Sequence, residues 1–196
     1  MMLRSFLAVE IPPQVQDALA DSISPLKKAL PKPLIRWVAS RNVHLTLKFL
    51  GDVSPDQLEQ LAEALKIEVA ACEPFIMSIG GLGAFPNARR ARILWIGLDA
   101  PPALMPLLHS VEVISTRLGY ASEDRPFSPH LTIGRVGQNI SGTDMQLIRA
   151  AIEATPIDVI GKVLVEAVHI FKSELQPSGP VYSRLFSLPL LRNQTR

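Results

Sequence analysis

Apolar and polar residues alternate along several short stretches of the chain, as expected for strands that bury one face. These stretches are rich in leucine, isoleucine, valine and phenylalanine, and prolines and glycines separate them. They do not carry the continuous apolar runs of strands that are buried on both faces of a parallel sheet. The pattern predicts strands at 3–9, 34–39, 43–50, 75–85, 91–98, 129–136, 157–171 and 181–188.

Helices are predicted between these strands, from apolar residues at helical spacing and from signals at the helix ends. Ser54 is a cap residue, Pro55 stands at the first helical position, and Gln57 completes a capping box. Thr143 and Gln146 are predicted to start a second helix in the same way. The other helices are expected at 12–30, with a break at Pro25, and at 103–118, before Gly119.

Two octets of nearly the same sequence divide the chain into matching halves. HLTLKFLG occupies residues 44–51, and HLTIGRVG occupies residues 130–137. Each octet is followed by a loop, a capped helix, a proline and a long apolar strand. The repetition indicates an internal duplication around 34–98 and 125–188.

The duplication and the strand pattern together predict an α+β fold in one bilobal domain over residues 1–190. The two lobes are expected to be related by a pseudo-twofold axis, with an active-site cleft between them. Each lobe is expected to have a mostly antiparallel sheet and helices. The polar residues at 191–196 are predicted to form a disordered tail.

Composition narrows the class of protein but does not identify a partner. The chain has 196 residues, of which 47% are hydrophobic and 19% are charged, as in folded globular proteins. Cys72 is the one cysteine, so no intramolecular disulfide forms, and no apolar run approaches a membrane span. We therefore predict a cytoplasmic protein with no membrane partner. The net charge of +2 permits an anionic partner without requiring one.

The two octets contain the candidate catalytic side chains. In an extended strand, His44 and Thr46 share one face, and so do His130 and Thr132. A twofold relation between the lobes would bring both polar faces to one cleft. Two imidazoles near neutral pH can serve as a general acid and a general base, and the threonine hydroxyls can donate hydrogen bonds to an oxyanion. This set of groups is suited to phosphodiester cleavage.

Metal binding is the competing interpretation of two histidines. A catalytic zinc site normally has a third protein ligand, and neither octet contains Asp, Glu or Cys. Asp52 follows the first octet, but Gln138 stands at the matching place after the second. The sequence therefore favours acid–base catalysis without a metal or another cofactor.

The paired octets resemble the signature of the two-histidine phosphoesterases. Within that superfamily the chain resembles the RNA 2′,3′-cyclic phosphodiesterases, also called 2′-5′ RNA ligases, over nearly its whole length. The segments that carry the resemblance are RSFLAVEIP, NVHLTLKFLGDV, ARILWIGL and RPFSPHLTIGRV. The resemblance implies a bilobal α+β fold and metal-independent opening of a terminal 2′,3′-cyclic phosphate on RNA to a 2′-phosphate. Some members of the family join tRNA halves by a 2′-5′ bond in the reverse direction in vitro.

The resemblance also implies a role for each motif residue. His44 is similar to the proton donor for the departing 3′ oxygen, and His130 to the proton acceptor that activates water. Thr46 and Thr132 are similar to phosphate-binding hydroxyls, and Arg135 resembles a phosphate-contacting arginine. The expected substrate is an RNA 3′ end with a cyclic phosphate, such as a tRNA fragment, and the expected state is a monomer.

The sequence does not decide which cationic side chain binds the phosphate. Strict alternation places Arg135 on the apolar face with Leu131 and Ile133, unless the strand bends near Gly134. Lys48 is the alternative, because alternation places it on the same face as His44.

Other residues have weaker claims to function. Arg89, Arg90 and Arg92 are interpreted as a solvated basic loop, although they could guide RNA by charge. His109 and His169 are interpreted as surface or structural residues. The aromatic residues considered for stacking on a terminal base are Trp37, Phe127, Phe171 and Tyr182.

Two alternative functions remain open. One is a non-catalytic module that binds nucleotides or RNA ends in the same cleft, although binding alone does not need an acid and a base. The other keeps the chemistry and changes the substrate to a small cyclic nucleotide or ADP-ribose cyclic phosphate.

Overall fold

We describe the fold from a computed structural model, which covers residues 2–30, 33–123, 126–177 and 179–191. Residues 192–196 of the predicted tail lie outside that range. The described strands are β1 (Leu3–Glu10), β2 (Ile35–Trp37), β3 (His44–Val53), β4 (Phe75–Phe85), β5 (Ile93–Asp99), β6 (His130–Val136), β7 (Gly161–Val165), β8 (Ala167–Gln176) and β9 (Gly179–Pro189). The described α-helices are α1 (Pro13–Ser22), α2 (Ser24–Ala29), α3 (Pro55–Ala70), α4 (Leu104–Arg117) and α5 (Gly142–Glu153).

The strands form one sheet in the order β7-β4-β5-β6-β3-β1-β8-β9, and β2 pairs with β6. The neighbouring strands pair antiparallel throughout this order. The α+β class with antiparallel strand pairing is therefore confirmed, with one sheet running through both halves. The two octet strands, β3 and β6, lie side by side at the centre of the order, and four strands stand on each side of their junction.

The chain crosses between these two halves of the sheet. Strands β4 and β5 follow the first octet in sequence but pair on the side of β6, whereas β8 and β9 follow the second octet and pair on the side of β1. This crossing splits the strand that the sequence predicts at 157–171. Residues 161–165 pair with β4 at one edge of the sheet. Residues 167–176 form β8 in the other half, where residues 169–172 pair with β1, and Glu166 lies between the two strands.

The helix ends follow local capping chemistry, with one correction. The capping box of Ser54 and Gln57 is present, and α1 and α2 separate just before Pro25, as predicted. The start of α5 was wrongly predicted at Thr143. Ser141 is the cap residue, because its hydroxyl accepts from the Asp144 backbone N–H and the Asp144 carboxylate accepts from the Ser141 backbone N–H.

Each octet contains a β-bulge at the same place. In the β1–β3 ladder, Leu7 pairs with Lys48 and Ala8 with Thr46, so Leu47 is the extra residue. In the β5–β6 ladder, Leu94 pairs with Gly134 and Trp95 with Thr132, so Ile133 is the extra residue. A bulge resets the alternation of side chains. The two residues after each bulge, Lys48 and Phe49 in the first octet and Gly134 and Arg135 in the second, therefore lie on the opposite face from the one that strict alternation predicts.

Candidate active site

The two octets meet where β3 and β6 pair, at Leu45 and Leu131. Both leucines are fully buried in the main core, so their neighbours His44, Thr46, His130 and Thr132 lie on the other face of the sheet. All four are half-buried. In this register, His44 lies opposite Thr132 and Thr46 lies opposite His130. Such opposite residues have Cβ atoms about 5 Å apart, and diagonal pairs such as His44 and His130 about 7–8 Å apart.

The two imidazoles are held by the same hydrogen bond. His44 Nδ1 lies 2.8 Å from the carbonyl oxygen of Asn42, and His130 Nδ1 lies 2.8 Å from the carbonyl oxygen of Ser128. A carbonyl can only accept, so Nδ1 carries the proton in each ring. Nε2 of each ring is consequently left to accept or donate a proton in the cleft.

The surroundings of the two histidines differ. The His44 ring stacks on Phe6, with 4.7 Å between centroids, and meets Tyr182 edge-on at 5.2 Å. Burial lowers the pKa of His44 below its ordinary value of 6.5, and the bond to the Asn42 carbonyl only partly opposes this. His130 contacts Phe85 edge-on at 4.9 Å. The site thus contains two similarly oriented histidines in unlike environments.

Arg135 lies on the cleft side of the sheet. The bulge at Ile133 removes it from the apolar face, and its side chain is exposed. Its positive charge, together with that of Arg4, acts to lower the pKa of Tyr182, although burial has the larger effect and raises it. Since the Tyr182 ring contacts His44, both guanidinium groups act on this side of the cleft. Sequence reasoning missed Arg4, whose signal is its alternation with Phe6 and Ala8 along β1.

Lys48 was the wrong alternative. The bulge at Leu47 turns it to the helix side of the sheet, where it is only 1% exposed. Its ammonium group donates to Glu112 Oε2 at 2.6 Å and to the Ala121 carbonyl at 2.8 Å. Phe49, which strict alternation predicts on the apolar face with Leu45 and Leu47, is instead 64% exposed, and its ring centroid lies 6.3 Å from that of Phe6. Lys48 is therefore a buried structural cation.

Two of the four aromatic residues considered for stacking lie at the cleft. Phe171 and Tyr182 pack with Phe6 and Ala8 in a small apolar cluster beside His44. Trp37 instead packs against the main core. Phe127 is exposed in the segment before His130.

The remaining polar residues fall as follows. Arg89, Arg90 and Arg92 are exposed around the turn between β4 and β5. His109 is exposed on α4, and His169 is buried 3.5 Å from the Glu10 carboxylate.

Within the described ranges, no three His, Cys, Asp or Glu side chains form a group with metal-binding geometry. No helix in the described part of the chain is both long and apolar enough to cross a bilayer.

Comparison with known proteins places the chain among phosphoesterases. A family model described as LigT like Phosphoesterase matches residues 9–95. An RNA 2′,3′-cyclic phosphodiesterase of Methanothermobacter thermautotrophicus is 34% identical over 93% of this chain and 96% of its own length. The protein of the same name from Archaeoglobus fulgidus is 31% identical over 93% of this chain and 98% of its own length. The crystal structure of TT0787 of Thermus thermophilus matches with a TM-score of 0.78 and 27% identity, over 98% of this chain and 100% of that one.

Proposed function

The chain belongs to the LigT-like phosphoesterase family, and from this premise we propose that it hydrolyses the terminal 2′,3′-cyclic phosphate of RNA to a 2′-phosphate. Its relatives are named RNA 2′,3′-cyclic phosphodiesterases and align over almost the whole chain. The observation that carries the proposal is the pair of imidazoles, each fixed through Nδ1 and each with Nε2 left for proton transfer.

The proposed reaction moves two protons in opposite directions. His130 Nε2 takes a proton from water as the water oxygen bonds to phosphorus. The bond from phosphorus to the 3′ oxygen breaks, and His44 Nε2 gives its proton to that oxygen. The product carries a 2′-phosphate and a 3′-hydroxyl. His130 then loses a proton to solvent and His44 regains one, so both groups are restored.

The roles of the two histidines depend on the charge of the substrate. Burial lowers the pKa of His44, so the free protein favours its neutral form. A phosphate anion bound between the rings favours the imidazolium form, because opposite charges attract. His44 is thus expected to be protonated as the substrate binds. We propose that Thr46 and Thr132 donate hydrogen bonds to the phosphate oxygens and that Arg135 grips them through its paired N–H groups.

We extend the proposal to the RNA substrates, to ligation, and to the oligomeric state and location of the protein. The substrates are RNA 3′ ends, tRNA fragments among them. If the 5′-hydroxyl of a second RNA replaced water as the attacking group, the same histidines would join it to the cyclic phosphate by a 2′-5′ bond as the 3′ oxygen leaves. Residues 1–190 are proposed to act as one bilobal, monomeric, metal-independent unit in the cytoplasm.

Product analysis tests the proposed function. An oligonucleotide with a 2′,3′-cyclic phosphate is incubated with the protein in excess chelator, and the products are separated by chromatography against 2′- and 3′-phosphate standards. We expect the 2′-phosphate. A 3′-phosphate would exchange the roles of the histidines, since the 2′ oxygen would then be the leaving group. Tight mononucleotide binding without turnover would support a binding module, and turnover confined to small cyclic phosphates would change the substrate class.

A further inference from the structure

A cavity of about 300 Å³ opens beside His44 on the cleft face of the sheet. Phe6, Phe171 and Tyr182 form its aromatic wall, and Glu10 and Asn42 lie among its polar residues. His130 does not line it. The volume is at the lower end of the range of small-ligand sites, which is enough for a nucleoside. The cavity therefore extends the candidate active site on one side only, the side of His44.

Glu10 is held in place at this cavity by two neighbours. In the β1–β3 ladder it lies directly opposite His44, so the two side chains share the cleft face. His169 Nε2 lies 3.5 Å and Arg184 Nη1 lies 3.4 Å from the same carboxylate oxygen, Oε2. His169 is buried at this contact, and Glu10 remains 45% exposed. Both distances are longer than good hydrogen bonds. The carboxylate is therefore oriented but keeps its capacity to accept hydrogen bonds from a ligand.

The chemistry of the proposed reaction decides which part of the substrate reaches this cavity. In an in-line displacement, the attacking water and the leaving 3′ oxygen lie on opposite sides of phosphorus. If His130 activates the water and His44 protonates the 3′ oxygen, the ribose lies on the side of His44. Its base then extends toward the cavity. This step rests on the proposed function.

The functional groups of the cavity then indicate which base it takes. Aromatic side chains are the usual partners of splayed-out bases, which are also read along their Watson–Crick edges. A carboxylate only accepts hydrogen bonds, so it selects a base that donates. Guanine donates from both N1 and the N2 amino group on that edge, whereas adenine and cytosine each donate from one amino group and uracil from one imino group. With the terminal nucleoside directed to this cavity by the proposed reaction, we propose that Glu10 makes the cavity selective for guanosine.

The test is the preference for the terminal nucleotide. We would measure kcat/KM for four otherwise identical oligonucleotides that end in guanosine, adenosine, cytidine or uridine 2′,3′-cyclic phosphate. A good paired contact to a base contributes about tenfold or more in discrimination. The wild-type protein should therefore favour the guanosine end by about that factor. Glu10→Gln should remove most of this advantage and change the other three substrates by less than about threefold.

Glu174→Gln is the matched control. Glu174 is a carboxylate of similar exposure, 50%, and it also forms an ion pair, with Lys172 in the same half of the sheet. It should keep the wild-type preference. A guanosine advantage that survives in Glu10→Gln, or a wild-type protein with no base preference, would overturn the proposal.

A binding measurement separates this inference from the proposed function. If the wild-type protein hydrolyses none of the four ends, the proposed function fails, and calorimetry with guanosine and adenosine 2′-monophosphates then tests the cavity alone. Tighter binding of the guanosine nucleotide that is lost in Glu10→Gln would support the cavity proposal. Equal binding of the two nucleotides would contradict it. The melting temperature of Glu10→Gln checks that the variant is folded.

Discussion

At the scale of single residues, the two histidines share an orientation and differ in environment. Each Nδ1 donates to the carbonyl two residues earlier in the chain, so each octet fixes its own tautomer locally. Only His44 is stacked on an aromatic ring and shielded by a second one. Orientation is therefore a property of the repeated motif, whereas the burial that lowers the pKa of His44 depends on side chains from other strands.

The shielding of His44 can be removed by Tyr182→Ala. Burial disfavours the imidazolium, so letting water reach the ring should raise the pKa of His44 toward 6.5. NMR titration of the histidine ring protons in the wild type and the variant measures this shift. A His44 pKa that stays the same or falls in the variant would show that burial by Tyr182 is not its cause.

Removing the charge should lower kcat/KM strongly at Arg135 and hardly at all at Lys48. Arg135→Met should lower kcat/KM by about 10- to 100-fold, as expected when a charged hydrogen-bonding group is lost, with little change in stability. Lys48→Met removes a buried charge that faces away from the cleft, so kcat/KM should change by less than about threefold. Steady-state kinetics on a cyclic-phosphate oligonucleotide separates the two, and equal losses would contradict the assignment of Lys48 to the protein interior.

The ion pair of Lys48 gives a matching stability prediction. Glu112→Ala leaves the buried ammonium group without its partner. Breaking a fully buried pair costs about 3–5 kcal/mol, and we expect about 2 kcal/mol here because the Glu112 end is partly exposed and screened. Urea unfolding measures the loss. Lys48→Met should be less destabilising than Glu112→Ala, because it leaves no unpaired charge in the interior.

At the scale of elements, the bulges determine which side chains reach the site. The extra residues, Leu47 and Ile133, occupy equivalent places in the octets, and the residues two positions later, Phe49 and Arg135, are both exposed. The first half of the sheet thus presents the aromatic ring of Phe49, and the second half presents the guanidinium group of Arg135 at the equivalent position. The two octet strands share the position of the bulge, while the side chains after it differ.

Gly134 makes the second bulge compatible with its neighbour β2. A side chain at this position would place its Cβ 2.7 Å from Cγ2 of Ile35 and 3.2 Å from the Trp37 ring. Gly134→Ala should therefore destabilise the fold by about 1–3 kcal/mol, as overpacking does, and lower kcat/KM through the adjacent Arg135. Thermal unfolding and kinetics measure the two effects. Gly142→Ala is the control, since a Cβ there meets no atom within 4 Å, and a similar loss of stability in both variants would contradict the steric explanation.

Sequence alone was sufficient for the parts of the site that obey simple alternation. It predicted the shared face of His44 and Thr46, the matching face of the second octet, and the capping box at Ser54. Strict alternation predicted the wrong face for the residues after the bulges, because a two-residue period gives no sign of an inserted residue. Sequence reasoning named Phe171 and Tyr182 as candidates for stacking but missed Glu10, Arg4 and Phe6, since their approach to His44 depends on strand pairings between distant parts of the chain.

At the scale of the whole molecule, the site exists because the two halves of the sheet meet at one strand junction. Each half supplies one histidine and one threonine, and the Leu45–Leu131 pair joins them. The aromatic cavity extends this shared site into the half that contains β1, β8 and β9. A site that straddles a junction in this way requires both halves at once, so neither histidine should sustain catalysis alone.

The most direct test is hydrolysis of a 2′,3′-cyclic-phosphate oligonucleotide in excess chelator by the wild type, His44→Ala, His130→Ala and the double variant. Each single variant should lose about 10²–10⁴-fold in kcat. The double variant should lose far less than the product of the two single losses, because the residues act as a unit. His109→Ala, which removes an exposed histidine on α4, should match the wild type. Activity within about threefold of wild type in a folded His44→Ala or His130→Ala variant would contradict two-histidine catalysis.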